Sequence, residues 1–347
     1  GGFSPIWNPE FFGNTMMVNG NTWPFQTVEQ RRYRFRFLNG CQSRFLILDF
    51  NLIPGVQVWQ IGNEGGFLAA PVDVTAAGNT LLMGLAERAD VIVDFTNVAV
   101  GNYVLGNVGP DEPFGGGVPG MDFTPSDSAS TGLVMQFNVV PALAADPTTP
   151  PQSLVLPAIV PLPPATVTRR LALIEKMGMG FDAASPPNLV EGPVEALLGT
   201  ISDGTTLDRT GATVPAGQPV EMMWMEPVTE NPAVGAVEVW EIYNTTGDAH
   251  PMHIHEVAFE VVDREALTLD PNTGGLMPNP GTARPPEAWE TGVKDTVICY
   301  PGEVTRVRAQ FNTPGQFVWH CHIVEHEDNE MMRPYRIGPA QMGQPGM

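Results

Sequence analysis

The chain has 347 residues, 43% of them apolar, enough to build two domains of about 150 residues each around buried cores. A formal net charge of −21 repels a phosphate backbone and excludes nucleic-acid binding. Only Lys176 and Lys294 are lysines, and Pro or Gly interrupts every long apolar run, so neither a polybasic membrane patch nor a membrane span is predicted.

The N-terminus reads GGFSPIWNPEFF, without an initiator Met or a charged-then-apolar leader, and is taken as the start of a processed or incomplete chain. With 37 Gly and 35 Pro the composition favours short strands joined by turns over long helices. The first clear strand is RRYRFRFLN (31–39), where Arg32, Arg34 and Arg36 alternate with Tyr33, Phe35 and Phe37, giving one charged and one aromatic face. ADVIVDF (89–95) is the next. Residues 109–132 read as a long Gly/Pro-rich surface loop. The proline-rich stretch 141–167 excludes a regular helix or central strand and is read as a linker. It separates a domain at 1–140 from one at 168–347. In the second half VEVWEIYN (237–244), VAFEVVD (257–263) and TRVRAQF (305–311) are predicted strands, and 264–293 a second long loop. Helical periodicity is weak throughout, so the fold class is all-β.

The halves resemble each other. RFRFLNGCQSRFLILDF has the outline of VWEIYNTTGDAHPMHIHEVAFEVVD, and GNYVLGN (101–107) lines up with GQFVWHC (315–321). The offset grows between the two matches, so the second copy carries an insertion. A duplicated β-sandwich accounts for this. Gly106 and Asn107 stand where the second copy has His320 and Cys321, so the first copy keeps the frame without the chemistry.

The three cysteines, Cys41, Cys299 and Cys321, form no disulfide framework, though one bridge between Cys41 and Cys299 stays open. All six histidines fall in two short segments: His250, His253 and His255 in HPMHIH, and His320, His322 and His326 in HCHIVEH. Imidazoles clustered around a thiol are a transition-metal signature. On a strand, Cys321 points to one face while His320 and His322 point to the other. One tripeptide thereby serves two metal sites joined by a short covalent path. That arrangement suits electron transfer and disfavours a structural zinc site, whose ligands converge on one ion. Two imidazoles, a thiolate and a weak axial thioether make a blue-copper set. Cys321, His326 and His250 supply the first three, and Met331 the last, with Met332 as the adjacent contender.

HPMHIH and HCHIVEHEDNEMMRP resemble the two C-terminal copper motifs of the multicopper oxidases, in particular bacterial spore-coat-type laccases and bilirubin oxidases. The likeness runs from NPEFFGNTMMVNG (8–20), similar to the start of the family's middle domain, to MMRPYRI near the C-terminus. It implies two cupredoxin-like Greek-key β-sandwiches, the middle domain and the C-terminal domain of a three-domain oxidase. It further implies a type 1 copper on His250, Cys321 and His326 with Met331 axial, His253 as a type 2 copper ligand, and His255, His320 and His322 as type 3 copper ligands. Glu327 takes the place of an acid linked to proton delivery during oxygen reduction.

The family holds its trinuclear cluster with eight histidines, four of them from His-X-His motifs in an N-terminal cupredoxin domain. Only His253, His255, His320 and His322 are present here, so the chain by itself is expected to carry half of that site. The expected function is the C-terminal part of a laccase-like oxidase, which couples one-electron oxidation of phenolic or aromatic substrates to four-electron reduction of O₂ to water. Its expected partners are the N-terminal cupredoxin domain or fragment, a small reducing substrate and O₂. The alternative is a stand-alone blue-copper electron carrier or copper-binding protein, which has no use for the four remaining histidines. The 16 methionines are scattered rather than packed into a Met-rich helix. This favours phenols, aromatic amines or a bilirubin-like tetrapyrrole over Cu(I), with Mn(II) left in the set. The resemblance implies an extracytoplasmic location, periplasmic or secreted.

Overall fold

The alternation in RRYRFRF folds as the strand Arg32–Leu38, antiparallel to Arg88–Asp94. Arg34 pairs with Asp90 and Arg32 with Asp94, while Phe35 packs edge-on against Phe137 with centroids 5.6 Å apart. The chain is known from a computed structural model that describes residues 7–181 and 189–339. Among these the architecture is almost wholly β, and no helix is long and apolar enough to cross a membrane.

The chain divides into two compact units. One comprises Phe12–Val160 with Glu287–Lys294, and the other Pro161–Pro286 and Asp295 onward together with the chain up to Phe11. In the first unit a five-stranded sheet runs in the order Phe25–Glu29, Leu133–Val140, Gly101–Asn107, Leu46–Asp49, Thr80–Met83. A four-stranded sheet runs Arg32–Leu38, Arg88–Asp94, Gln57–Asn63, Gly66–Asp73. One apolar core draws on both, including Leu48, Phe137 and Val139 from the first and Val58, Val91 and Val93 from the second. That is a β-sandwich.

The second unit repeats the plan with a seven-stranded and a four-stranded sheet. The four strands lie in the order Thr296–Cys299, His250–Ile254, Gly315–Cys321, Met332–Ile337. Buried rings bridge the two sheets: Trp240 meets Trp319 at 5.9 Å and Tyr335 at 5.5 Å, both edge-on. Edge-on contacts of this kind add roughly 0.5–1.5 kcal/mol each beyond area burial.

The internal repeat is visible in the strand registers. Leu46 pairs with Met83 as His250 pairs with Cys299, and Asp49 with Thr80 as His253 with Thr296. Asp49 also faces Gly106 as His253 faces His320. Asn39 and Asn244 likewise close equivalent corners, each donating its side-chain amide to a backbone carbonyl, Met83 and Cys299 respectively.

The structure departs from the sequence reading in two places. Residues 264–269, expected in a loop, extend the strand Phe259–Leu269, which then turns back through Leu276–Pro278. A bulge after Val261 interrupts the apolar alternation, and cross-strand ion pairs carry the strand on, Arg306 to Asp263 at 2.8 Å and to Glu265 at 3.0 Å. The strands Val167–Phe181 and Leu189–Ile201, which pair antiparallel, were not expected at all. Gly178, Gly180, Gly192 and Pro193, with a bulge at Lys176/Met177, erase the period-2 signal there. Cys41 and Cys299, whose pairing the sequence leaves open, form no disulfide.

One buried charge cluster ties the 287–294 segment to its unit. The Lys294 ammonium donates to Glu64 at 2.9 and 3.1 Å and lies 3.1 Å from Glu87, with side-chain exposures of 3%, 0% and 10%. The surrounding carboxylates hold its pKa above the ordinary value against the cost of burial. Removing the cation strands these carboxylates in the interior. Lys294→Met is expected to lower the unfolding free energy by about 3–5 kcal/mol, the cost of breaking a buried pair from one side. Arg170→Ala, at an ion pair whose arginine is 57% exposed, should cost under about 1 kcal/mol. Denaturant unfolding of both variants checks this, and equal small losses would contradict it.

Candidate metal centre

Strand parity sorts the clustered ligands before any side chain is placed. In the four-stranded sheet Met252 faces Cys321 and His253 faces His320. The Cys321 amide donates to the Met331 carbonyl at 3.0 Å, next to the pair His320–Met332. Directly paired residues share a face and neighbours alternate. Cys321, Met331 and, two residues before Met252, His250 therefore belong to one face. His253, His255, His320 and Met332 belong to the other, and His322 follows them through its bond from N–H to the Pro251 carbonyl, 2.8 Å. This register favours Met331 over Met332 as neighbour of the thiol.

On the Cys321 face the last member arrives from a short helix, Val324–Glu327, which begins directly after Ile323. It turns His326 back so that its Nδ1 lies 3.8 Å from Cys321 Sγ and 3.2 Å from His250 Nδ1. The His250 Nδ1 is 3.6 Å from the same sulfur. Three donors around one ion at about 2.0–2.3 Å would be separated by roughly 3.5–4 Å, so these residues fit a single trigonally held metal. The set is dry: His250, Cys321, His326 and Met331 are each no more than 2% exposed. Burial drives both imidazoles to the neutral form, His326 down to about 4 and His250 well below its usual value, the latter helped by His326. Burial also pushes the Cys321 thiol well above its ordinary pKa. A thiolate here needs a bound cation, and a coordinated thiol is deprotonated. The Ile323 N–H, 3.4 Å from Sγ, is placed to donate to it.

On the opposite face four rings gather, with centroids 4.9 Å apart for His253–His255, 5.2 Å for His255–His320 and 5.4 Å for His320–His322. The Nε2 atoms of His255 and His320 approach to 3.1 Å. One ligand atom from each of His253, His255 and His320 lies within 4.8 Å of the others. The hydrogen bonds orient these rings oppositely on the two faces. His320 Nδ1 bonds the Cys321 carbonyl at 2.9 Å and His253 Nδ1 the Asp295 carbonyl at 2.8 Å, leaving Nε2 as the free donor. For His250 the Nε2 bonds Thr246 Oγ1 at 2.6 Å, leaving Nδ1 toward the sulfur. Such bonds fix the tautomer that presents a lone pair to a metal. Glu327 stands 3.3 Å from His320 Nδ1, and burial raises its carboxyl pKa.

His250, His253, His320 and Cys321 lie in this sheet and His326 and Glu327 in the short helix that follows it, while His255, His322 and Met331 each stand one residue beyond a strand end. Sequence reasoning missed Thr246, Asp295 and Thr296, which orient rings, and also Glu10 and Asp248. The last two place a carboxylate oxygen each within 4.8 Å of a His326 nitrogen and of one another. Burial, then Asp248, Glu325 and Glu175, push the Glu10 carboxyl up to about 9. Asp295, Thr296 and Glu10 come from segments distant in sequence, and Thr246 and Asp248 from the loop just before His250, where no local pattern marks them.

The comparisons with known proteins bear on the same residues. A family model described as multicopper oxidase matches residues 197–341. The chain is 35% identical over 336 residues to a laccase of Bacillus stratosphericus, covering 95% of this chain and 56% of that protein. It is 34% identical to a laccase of Bacillus subtilis (strain 168), covering 95% and 55%. The crystal structure of McoA multicopper oxidase from the hyperthermophile Aquifex aeolicus superposes with a TM-score of 0.64 at 28% identity, covering 96% of this chain and 62% of that one. The chain therefore spans little more than half the length of the laccases it matches.

The depressed histidine pKa values have a consequence for the metal-free chain. His320 falls to about 4, through burial and then its neighbouring rings, as His326 does through burial. Their contribution to stability is full above the unfolded value near 6.5 and is lost as pH falls toward 4, because the unfolded chain then binds more protons. The stability difference between the metal-free chain and its His320→Gln, His326→Gln double variant should be greatest above pH 6.5 and shrink toward pH 4. Denaturant midpoints measured across that window check it, and a level difference would contradict neutral burial.

Proposed function

The chain belongs to the multicopper oxidase family, and from that premise we propose that it is the part of a laccase-like oxidase that takes electrons from a substrate and delivers them to oxygen. In this reading His250, Cys321 and His326 hold the type 1 copper with Met331 axial. His253 serves the type 2 copper, and His255, His320 and His322 serve the type 3 pair. The remaining ligands come from a further cupredoxin domain, of the same protein or bound to it. The observation that carries the reading is the division of one strand end: a thiol on one face with two imidazoles around it, and imidazoles on the other.

Bound copper supplies reversible one-electron chemistry at the first set and, once the cluster is complete, four-electron reduction of O₂ with four protons to two waters. The protein supplies the rest. Burial at His250, Cys321, His326 and Met331 excludes water, and the bonds from Thr246 and Ile323 hold the donors where a metal needs them in both oxidation states. The Cys321 backbone, flanked by His320 and His322, is the shortest covalent link between the two faces. Glu327, beside His320 Nδ1, is placed to hold a proton for oxygen reduction. One-electron donors such as phenols and aromatic amines match this chemistry, and the family resemblance supports an extracytoplasmic setting. A plain electron carrier has no use for four further histidines, and they are gathered rather than scattered.

Two variants test the assignment in the copper-loaded chain. Cys321→Ser should abolish the blue absorption, which requires the copper–thiolate bond; a persisting band would refute the type 1 set. Met331→Leu should keep the colour and raise the reduction potential by removing a weak donor. A potential unmoved in redox titration would remove Met331 from the axial position.

A further inference from the structure

A weak ligand does not place itself. A thiolate or an imidazole is drawn to a metal, whereas a thioether stays where the protein puts it. Methionine also turns about three side-chain bonds, so its position has to come from the backbone and from packing. Met331 is fully buried, and its own backbone is tied to the Cys321 set. Its N–H donates to the His326 carbonyl and its carbonyl accepts from the Cys321 N–H, both at 3.0 Å.

The residues on either side of it are tied elsewhere. Glu330, directly before Met331, has a left-handed backbone with φ +68°, which a residue with a Cβ keeps only when its surroundings impose it. Its carboxylate accepts from the Trp224 N–H at 2.7 Å. Arg333, two residues after Met331, lies opposite Trp319 in the ladder and so shares the face of Cys321. It is 1% exposed, and its guanidinium donates to the carbonyls of Met223, of Glu226 at 3.3 Å and of Pro227 at 2.8 Å. Both anchors thus end in one segment, 222–227, which no step of the proposed chemistry uses. Within it the Met223 N–H donates to the Glu226 carboxylate at 2.6 Å, closing the turn. The sulfur of Met222 is engaged by Arg333 Nη2 and Thr229 Oγ1, each 3.7 Å away.

We propose that segment 222–227 is a positioning clamp for Met331, holding the turn that carries it at two points, Glu330 and Arg333. The proposal rests on the reading of Met331 as a member of the Cys321 set and names the residues that fix its place there. Both are positioning residues that act through Met331. The clamp is built into the fold, so it works in the metal-free chain. Releasing the Glu330 anchor lets the left-handed turn relax, and the thioether then samples more than one position.

The test reads Met331 directly, in the copper-free chain, from the ε-methyl resonances of isotope-labelled methionine. The Met331 signal is the one missing from Met331→Leu. Glu330→Ala should shift or broaden that signal by more than its linewidth, while the methyls of Met16 and Met83 in the core of the Phe12–Val160 unit stay in place. Glu330→Gln keeps an oxygen that accepts from the Trp224 N–H and should leave the signal where it was. If Glu330→Ala does not fold, Glu330→Gly carries the comparison, because glycine adopts the positive φ without strain. In the copper-loaded chain Glu330→Ala should move the reduction potential in the same direction as Met331→Leu and add nothing when the two are combined. An unmoved Met331 signal in a folded Glu330→Ala or Glu330→Gly chain overturns the clamp. So does an equal change in Glu330→Gln, which would assign the effect to charge. A potential that Met331→Leu leaves unchanged overturns instead the axial reading, on which the methyl signal does not depend.

Discussion

The two-residue period of a β-strand is the constraint on which this site depends. Cys321 and His320 cannot face the same way while they remain in the ladder with His250–Ile254 and Met332–Ile337, and His322 continues the alternation one residue past the strand end through its bond to the Pro251 carbonyl. The same rule, applied to the paired strand, sends His250 to the thiol and His253 and His255 to the other side. Five histidines and one cysteine are therefore divided between two faces by backbone geometry alone. Only His326, delivered by a single helical turn, needs a separate device. The hydrogen bonds then complete the division by presenting Nδ1 on one face and Nε2 on the other.

The Phe12–Val160 unit shows the same frame filled with other side chains. Leu46 stands in the register position of His250, Asp49 in that of His253, Gly106 in that of His320 and Asn107 in that of Cys321. Asn107 is buried and spends its side chain on structure, accepting from the Ile47 N–H at 2.9 Å and donating to Ser126 Oγ at 2.9 Å. Where the other unit has a buried thiol, this one has an amide whose bonds are satisfied within the fold. The two sandwiches share this strand register and differ in the side chains it carries.

Much of this was legible in the sequence because the signals are local. The arginine–aromatic alternation at 32–37, the turn residues that bound each strand and the two histidine segments all lie within a few positions of one another. The division of ligands between faces follows from counting along a strand. What could not be read depends on long-range pairing. The strand Phe259–Leu269 continues past its bulge on ion pairs to Arg306, and no apolar period marks it. The pairing of Val167–Phe181 with Leu189–Ile201 is obscured by glycine and proline. Asp295 and Glu10 reach the rings from segments remote in sequence, and Thr246 and Asp248, in the loop just before His250, carry no pattern that marks their contacts.

The most direct test of the central claim is anomalous diffraction at the copper absorption edge from crystals of the copper-loaded chain. One peak should lie among His250 Nδ1, Cys321 Sγ and His326 Nδ1, and any further peak should lie on the opposite side of the strand among His253, His255, His320 and His322. A single ion drawing ligands from both faces, or no copper at the Cys321 set, would contradict the account.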